Sequence, residues 1–333
     1  MVTLKDIAEA LNVSVPQVSK VLNNSRSTVG VSAETARRIR EAARTMGYVR
    51  NRTAAALRSG RHNTLGVLIE PWGALGSGLT EALLAGIATE TALRDQHLEL
   101  RFYQGADQFA RALARINAAE IDGLIVAGIR RHVDADALAR LVADGLPVVT
   151  VHTEAVGALP NMQCDERAVG RLAAEHLIER GCRSIGHIHL TDRRWEGYVD
   201  ALGRAGRPLR EELVYGRPGE LPVSFQSGQA AAAHFLESGV GFDGIVAQSD
   251  FFAMGAMVKL LAEGVRVPED VKVIGVDDSP ICLCGPVELS SVSLDVPGRA
   301  RLAVRKLLDA AGGEAVRSIT SPPALVVRRS SGA

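Results

Sequence analysis

No apolar run of membrane-spanning length occurs anywhere in the 333 residues, and no stretch of signal-peptide type stands at the N-terminus. A bilayer-crossing helix needs about 20 consecutive apolar residues, and a secretory leader needs a basic start followed by an apolar segment. No membrane partner is expected, and the expected compartment is the cytoplasm. Cysteine is scarce: Cys164, Cys182, Cys282 and Cys284 show no CxxC spacing and read as reduced thiols. Aromatic residues make up only 4% of the chain. Nucleotide-phosphate loops, G-x-S-x-G elbows and paired catalytic carboxylates are missing, so neither an enzyme, a catalytic residue nor a cofactor is expected. His187 and His189 share one face of a strand, but no third ligand follows at useful spacing, so no metal site is expected. Repeats and low-complexity tracts are absent too.

Net charge is the last absence, with 38 basic residues against 38 acidic, and it hides an asymmetry. Residues 1–61 hold 11 Lys and Arg against 4 Asp and Glu, a balance of +7, and the remainder holds 27 against 34, a balance of −7. A basic head on an acidic body points to a nucleic-acid-binding module attached to something else.

The head reads TLKDIAEALNVSVPQVSKVLN over Thr3 to Asn23. Leu4, Ile7, Ala8 and Leu11 fall on one face of a helix. Thr3 and Asp6 are spaced as a capping box, and Asn12 tolerates the left-handed turn that follows. Ser14 caps a second helix with Gln17 as its partner, and Pro16 sits in the first turn where its missing N–H costs nothing. Val18, Val21 and Leu22 give that helix its buried side, leaving Val15, Pro16, Gln17, Ser19 and Lys20 outward. Ser32 caps a third helix over 33–46, stopped by Gly47. Three small helices with the second held outward form a helix-turn-helix able to enter a major groove.

Residues 48–64 read as a linker in which Asn51 caps a helix of about two turns, too short to be stable alone. Its Leu57 has two readings: a contact with the next domain, or insertion into a partner when two copies lie side by side. From Leu65 strands and helices alternate. Strands are expected at 65–69, 97–102, 123–127, 146–151, 184–189, 243–247 and 271–276, with others near 290, 317–320 and 324–328. Helices are expected at 79–93, 106–119, 135–144, 166–181, 193–206, 223–238, 250–264 and 296–311. This is the pattern of doubly wound α/β sheets, with ligand sites at the carboxyl ends of the strands. Some 260 residues of it exceed what one sheet usually holds, so two similar lobes are expected.

The order of parts resembles the LacI/GalR family of bacterial transcriptional repressors along essentially the whole chain. VTLKDIAEALNVSVPQVSKVLN resembles the family's helix-turn-helix signature, VSAETARRIREAARTMGYVRN its next helical region, and RTAAALRSGRHNTLGVLI its hinge helix and first core strand. AVGRLAAEHLIERGCRSIGHI, RRWEGYVDAL, DFFAMGAMVKLLAEGVRVPEDVKVIGVDD and LVVRRSSG follow its core in order. The resemblance implies an all-α headpiece over residues 1–49, a hinge over 50–62 and a two-lobed periplasmic-binding-protein-like α/β core over 63–333. The N-lobe would be 63–161 plus 293–320, and the C-lobe 162–292 plus 321–330. It implies a homodimer on a pseudo-palindromic double-stranded operator, and a small effector, a carbohydrate by family, closing between the lobes. The chain ends directly after its last strand, so a dimer and not a tetramer is expected.

Residue by residue, the resemblance puts Val15, Pro16 and Lys20 at base-reading positions. Val15 and Pro16 carry no hydrogen-bonding side chain, which leaves apolar contacts such as a thymine methyl and makes Gln17 and Lys20 the polar readers. Ser14, Ser19, Asn23 and Asn51 join the DNA-facing set, the serines and Asn23 suited to phosphates. Leu57 matches the leucine that wedges into the minor groove. Residues 24–31 form a longer loop than the family pattern. In the effector cleft, Arg194 and Asp277 match an arginine and an acid that hold ligand hydroxyls or carboxylates. Ser249 departs from the usual Asn beside Asp250, Phe251 follows it, and Trp72 and His152 stand after N-lobe strands. Cys282-x-Cys284 falls near where family dimers meet and reads as packing. A transport receptor and a sugar kinase are the competing classes; the basic head argues against the first, the missing phosphate loop against the second.

Overall fold

The structure, a computed structural model, describes residues 2–22, 31–48, 60–71, 77–128, 132–151, 154–217 and 220–332. Asn23, Asn51, Leu57, Trp72 and His152 lie outside the described residues, as do the greater part of the 24–31 loop and the expected hinge helix. The chain forms two compact units, Met1–Asn63 and Thr64–Ala333.

In the first unit, α1 (Leu4–Leu11), α2 (Val15–Leu22) and α3 (Ala33–Thr45) pack on one another. Each contributes a stripe to a small core of Ile7, Ala8, Val18, Val21, Ala36, Ile39 and Ala43. Asn12 ends α1 in the left-handed region, at φ 52°, and lets Val13 N donate back to Ala8 O at 3.0 Å. Asn reaches this conformation with a smaller steric cost than other non-glycine residues. The turn therefore needs only three residues between the two helices.

The second unit holds two main sheets. The first contains β1 (Thr64–Ile69), β2 (His97–Phe102), β3 (Gly123–Ala127) and β4 (Val148–Val151), all parallel in the order β2-β1-β3-β4. Between them run α4 (Leu79–Leu93), α5 (Gly105–Ala114) and α6 (Ala135–Ala143). After the short β5 (Met162–Cys164) come α7 (Glu166–Glu179), β6 (Ile185–Ile188), α8 (Asp192–Arg204), β7 (Val214–Tyr215), α9 (Phe225–Glu237), β8 (Gly244–Ala247), α10 (Asp250–Ala262) and β9 (Lys272–Val276). The chain finishes with β10 (Ser290–Ser293), α11 (Val296–Ala311), β11 (Ile319–Ser321) and β12 (Ala324–Val326). The second sheet runs β12-β10-β9-β8-β6-β7, with only β12 antiparallel, and β5 pairs with β11 in a separate two-stranded ribbon.

Strand residues alternate between cores, as helices on both faces of a sheet require. Leu65, Val67 and Ile69 of β1, Ile125 of β3, Val246 of β8 and Ile274 of β9 enter one large cluster that draws on both sheets. Leu68, Leu124 and Val126 face a second core, and Ile188, Ile245 and Val273 a third. Helix pairs close on glycine: a Cβ on Gly170 of α7 would stand 1.8 Å from Arg194 O, and one on Gly86 of α4 would stand 2.5 Å from Pro297 O. That approach seats the first turns of α8 and α11, where the site lies.

Several expectations are corrected. The helix expected over 106–119 stops at Ala114, and a separate 3-10 turn spans Ala118–Glu120, because the Asn117 side chain accepts from Ala119 N at 3.1 Å and starts a new turn. The strand expected at 146–151 starts at Val148, since Pro147 has no N–H to give and Leu146 N still belongs to the α6 end, bonding Leu141 O. β5 and β7 are too short to leave a periodic signal.

Candidate nucleic-acid interface and ligand site

The headpiece caps are as the sequence spaces them. Thr3 N and Thr3 Oγ1 donate to Asp6 Oδ2 at 2.7 and 2.9 Å and hold the Asp6 carboxyl below its usual pKa, while Asp6 N returns a bond to Thr3 Oγ1 at 3.3 Å. Ser14 N and Ser14 Oγ both donate to Gln17 Oε1 at 3.1 Å, and Gln17 N returns a bond to Ser14 Oγ at 3.4 Å. Gln17 therefore has its carbonyl committed to the cap and offers only its amide NH₂ outward, half of the bidentate pair that reads adenine. Ser14, Val15 and Pro16 are exposed, and Ser19 and Lys20 are half-buried beside them. Val15, at 39% exposure, is the large apolar residue this face presents.

In the second unit the polar groups gather where β6, β8 and β9 end and where α7, α8, α10 and α11 begin. Arg194, in the first turn of α8, is 5% exposed. Its Nε donates to Glu166 Oε2 on α7, and its Nη1 to Gln248 O beyond β8 at 2.7 Å. Burial works against the Arg194 charge, but Glu166 and Asp277 outweigh it and keep the guanidinium pKa above normal. Asp277 follows β9 at φ 116°, a left-handed-side conformation costly for a residue with a Cβ. Its N–H bonds Val292 O at 3.0 Å. Burial raises its pKa well above the usual carboxylate value, Arg194 pulls it down, and Asp250 and Glu166 push it up again.

Asp250 takes no outward role. It is wholly buried; Oδ2 accepts from Ser279 N at 2.7 Å and Ser279 Oγ at 2.9 Å, and Oδ1 from Ser291 Oγ at 2.6 Å. It fixes the turn that carries Asp277. Ser249 caps α10 through a 3.3 Å bond from Phe251 N and is 1% exposed; Phe251 is half-buried. Asp278 is tied by Arg328 Nη2 at 2.6 Å, which joins the chain's end to the same turn. Ser330 and Ser331 extend that stitch: Ser290 N donates to Ser330 Oγ at 2.8 Å, and Ser331 Oγ bonds His176 Nε2 at 2.7 Å.

Sequence reasoning missed Glu166, Gln248 and Arg299. Each lies at the strand-end edge of a βα unit: Glu166 opens α7, Gln248 directly follows β8, and Arg299 lies in the first turn of α11. That position was the available signal. Glu70, just after β1, is likewise buried; its Oε1 accepts from Gly105 N at 2.9 Å and bonds His132 Nδ1 at 2.7 Å. His187 and His189 join a ring cluster instead of a metal site: His187 lies 5.0 Å from Trp195 and 4.3 Å from Tyr198, ring centre to ring centre. Among the described residues no group of three or more His, Cys, Asp or Glu is arranged to hold a metal ion, and no helix is long and apolar enough to cross a membrane. A surface cavity of about 380 Å³ lies apart from all this, between edge strand β2 and α5, lined by Leu100, Phe102, Gln108, Arg111 and Arg115.

Comparison with known proteins agrees with both halves. Bacterial regulatory proteins of the lacI family match residues 3–51, and the periplasmic binding protein-like domain matches residues 174–331. The transcriptional regulator GntR of Pseudomonas aeruginosa is 31% identical, over 95% of this chain and 91% of its own. The regulator MalR of Streptomyces coelicolor is also 31% identical, over 98% of this chain and 96% of its own. Among solved structures, a CelR–cellobiose complex is 26% identical with a TM-score of 0.68, covering 99% of this chain and 100% of that one. The lac repressor dimer bound to operator has the same fold, with a TM-score of 0.81 at 24% identity over 100% of this chain and 99% of that one. A helix-turn-helix that presents α2 and an α/β unit that gathers Arg194 and Asp277 at its strand ends thus stand in one polypeptide with relatives along its whole length, and the chain belongs to the LacI family of bacterial transcriptional regulators.

Proposed function

We propose that the protein is a repressor that binds a pseudo-palindromic operator as a cytoplasmic homodimer and releases or tightens its grip when a sugar or sugar derivative binds between the lobes. The observation that carries this is the set of donors and acceptors at the strand ends: Arg194 and Asp277, held by Glu166, Gln248 and Asp250, from which a polyhydroxylated ligand takes its hydrogen bonds. Ser249, Phe251, Trp72 and His152 complete the proposed lining. Asp250 acts from behind by fixing the Asp277 turn. The relative crystallised with cellobiose supports a carbohydrate.

For DNA, Val15, Pro16, Gln17 and Lys20 form the proposed reading face, with Ser14, Ser19 and Asn23 at phosphates, Asn51 in the DNA-facing set and Leu57 in the minor groove. For the homodimer, the proposed surface is β2, an edge strand whose Leu98, Leu100 and Phe102 are 38%, 40% and 53% exposed. An open apolar edge invites pairing. The effector acts by changing the spacing of the paired headpieces, a coupling of about 1–3 kcal/mol.

Binding to a fragment of the protein's own promoter region, followed by titration of sugars, tests the reading. Wild type should prefer that fragment over random DNA, Leu57→Ala should bind it weakly, and Asp277→Ala should bind it and ignore the effector. No preference over random DNA at low salt would overturn it.

A further inference from the structure

The cavity of about 380 Å³ beside edge strand β2 has the size of a small-molecule pocket and no part in the repressor mechanism. Three of its lining side chains are arginines, Arg101, Arg111 and Arg115, and none is acidic. Arg101 comes from β2, and the other two stand at the end of α5. Side chains alternate along a strand, so Arg101 stands on the face of β2 opposite to the exposed Leu98, Leu100 and Phe102.

Arg101 is fixed in place. Its Nε and Nη2 donate to Glu99 Oε1 at 3.0 and 2.6 Å, and Nη2 also reaches Arg115 O at 3.3 Å. That last bond satisfies a carbonyl at the C-terminal end of α5, so the Arg111 and Arg115 heads are not needed there. Among the described residues neither Arg111 nor Arg115 has an ion pair or a side-chain hydrogen bond. They lie one helical turn apart on one face, where like charges repel. The α5 dipole tolerates cations at this end, but it does not bring a third guanidinium across from β2.

Three cations against the one charge of Glu99 leave two uncompensated. A phosphate monoester carries about −1.5 to −2 charges at pH 7 and matches that excess, whereas a carboxylate meets half of it. Gln108 adds a donor: its Oε1 accepts from Gln104 N at 3.1 Å, which leaves its NH₂ for a ligand. Ala112, between the two α5 arginines, is small and keeps the space open.

We propose that this cavity is a second ligand site, separate from the effector cleft, which takes the phosphate group of a small organic phosphate through Arg101, Arg111 and Arg115. Guanidinium forks meet phosphate oxygens with paired N–H donors. A bare phosphate does not fill the cavity, so the occupant carries an organic remainder.

Isothermal titration of the full-length protein with a hexose 6-phosphate, a nucleoside monophosphate, inorganic phosphate and the free hexose tests this. The proteins are wild type, the double variant Arg111→Gln with Arg115→Gln, Arg115→Lys, and Asp277→Ala. Both arginines are exposed, so the double variant should melt as wild type does. At least one organic phosphate should bind wild type with a dissociation constant below about 1 mM, and about tenfold or more tighter than inorganic phosphate. Added salt should weaken that binding. The double variant should lose about tenfold or more, and Arg115→Lys, which keeps the charge without the fork, should lose less. Asp277→Ala should still bind the phosphate. Unchanged phosphate binding by the double variant would overturn the second site, and its loss in Asp277→Ala would then place the phosphate in the effector cleft. Equal and weak binding of inorganic and organic phosphate would show an adventitious ion only and overturn the proposal. So would failure of every phosphate to bind wild type, whatever the free hexose does at the effector cleft.

Discussion

Gln248 fixes the tautomer of His187. Its Nε2 lies 2.8 Å from His187 Nε2, and its Oε1 accepts from Leu190 N at 2.8 Å and Thr191 N at 2.6 Å. With the amide oxygen held by two backbone donors, the NH₂ must face the ring, so His187 Nε2 accepts and the proton sits on Nδ1. That Nδ1 is sealed and has no partner. The imidazole is locked in its neutral form, and burial, with His189 beside it, depresses its pKa well below normal. The same amide ties the end of β6 to the turn after β8, so the His187 proton and the Arg194 loop share one anchor.

A depressed histidine pKa means that the unfolded chain binds protons first. The stability this group contributes is present above about pH 6.5, its unfolded value, and is lost as pH falls toward its folded value. Urea unfolding at pH 7.5, 6.5 and 5.5 should show wild type weakening faster than His187→Leu on the acid side. At pH 7.5 the variant should be weaker by about 1–3 kcal/mol, because Gln248 Nε2 loses its acceptor. Parallel acid limbs for the two proteins would contradict the assignment.

Gly170→Ala and Gly203→Ala should behave oppositely. A methyl at Gly170 would meet the Arg194 carbonyl at 1.8 Å, while one at Gly203, late in α8, meets nothing within 4 Å. The first should cost about 1–3 kcal/mol and shift Arg194. The second, at a helical position, should gain about 0.5–1 kcal/mol. Thermal melts of both, with effector titration of the first, read the difference.

Asp250→Ala should be among the most damaging single changes in the second unit. It strands Ser279 N, Ser279 Oγ and Ser291 Oγ, each a buried donor that now has a partner. About 1–3 kcal/mol per stranded group applies. Effector affinity should fall further than operator affinity, since the turn that loosens carries Asp277. Equal losses in both would point to general unfolding.

Phe102→Glu, placed on the exposed edge of β2, should convert the dimer to monomer at micromolar concentration in sedimentation velocity. Operator affinity should then drop by at least about tenfold, because two linked headpieces no longer act as one ligand. A dimer that persists would move the interface elsewhere.

The headpiece was legible almost to the residue. Thr3 with Asp6, Ser14 with Gln17, and Asn12 between them are local signals, and local hydrogen bonds realise them. The alternation of strands and helices was equally readable, down to the bounds of the helix over Val296–Ala311. The arrangement around Arg194 was only half readable. Its partners Glu166 and Gln248 are 28 and 54 positions away, and no periodicity reports a contact of that range. Asp250 looked like a ligand contact because it stands at a strand end. Burial by Ser279 and Ser291, which arrive from later in the chain, gives it structural work instead.

The stitch made by Arg328, Ser330 and Ser331 has a consequence in time. β12 and these residues are synthesised after every other strand of the second sheet, yet β12 forms its outer edge, and Arg328 holds the turn beside Asp277. Folding during synthesis proceeds from the N-terminus, so the headpiece is complete while this turn still lacks its tie. A growing chain thus completes its DNA-reading helices before the turn beside Asp277 is tied, and only one extended through Ser331 carries both.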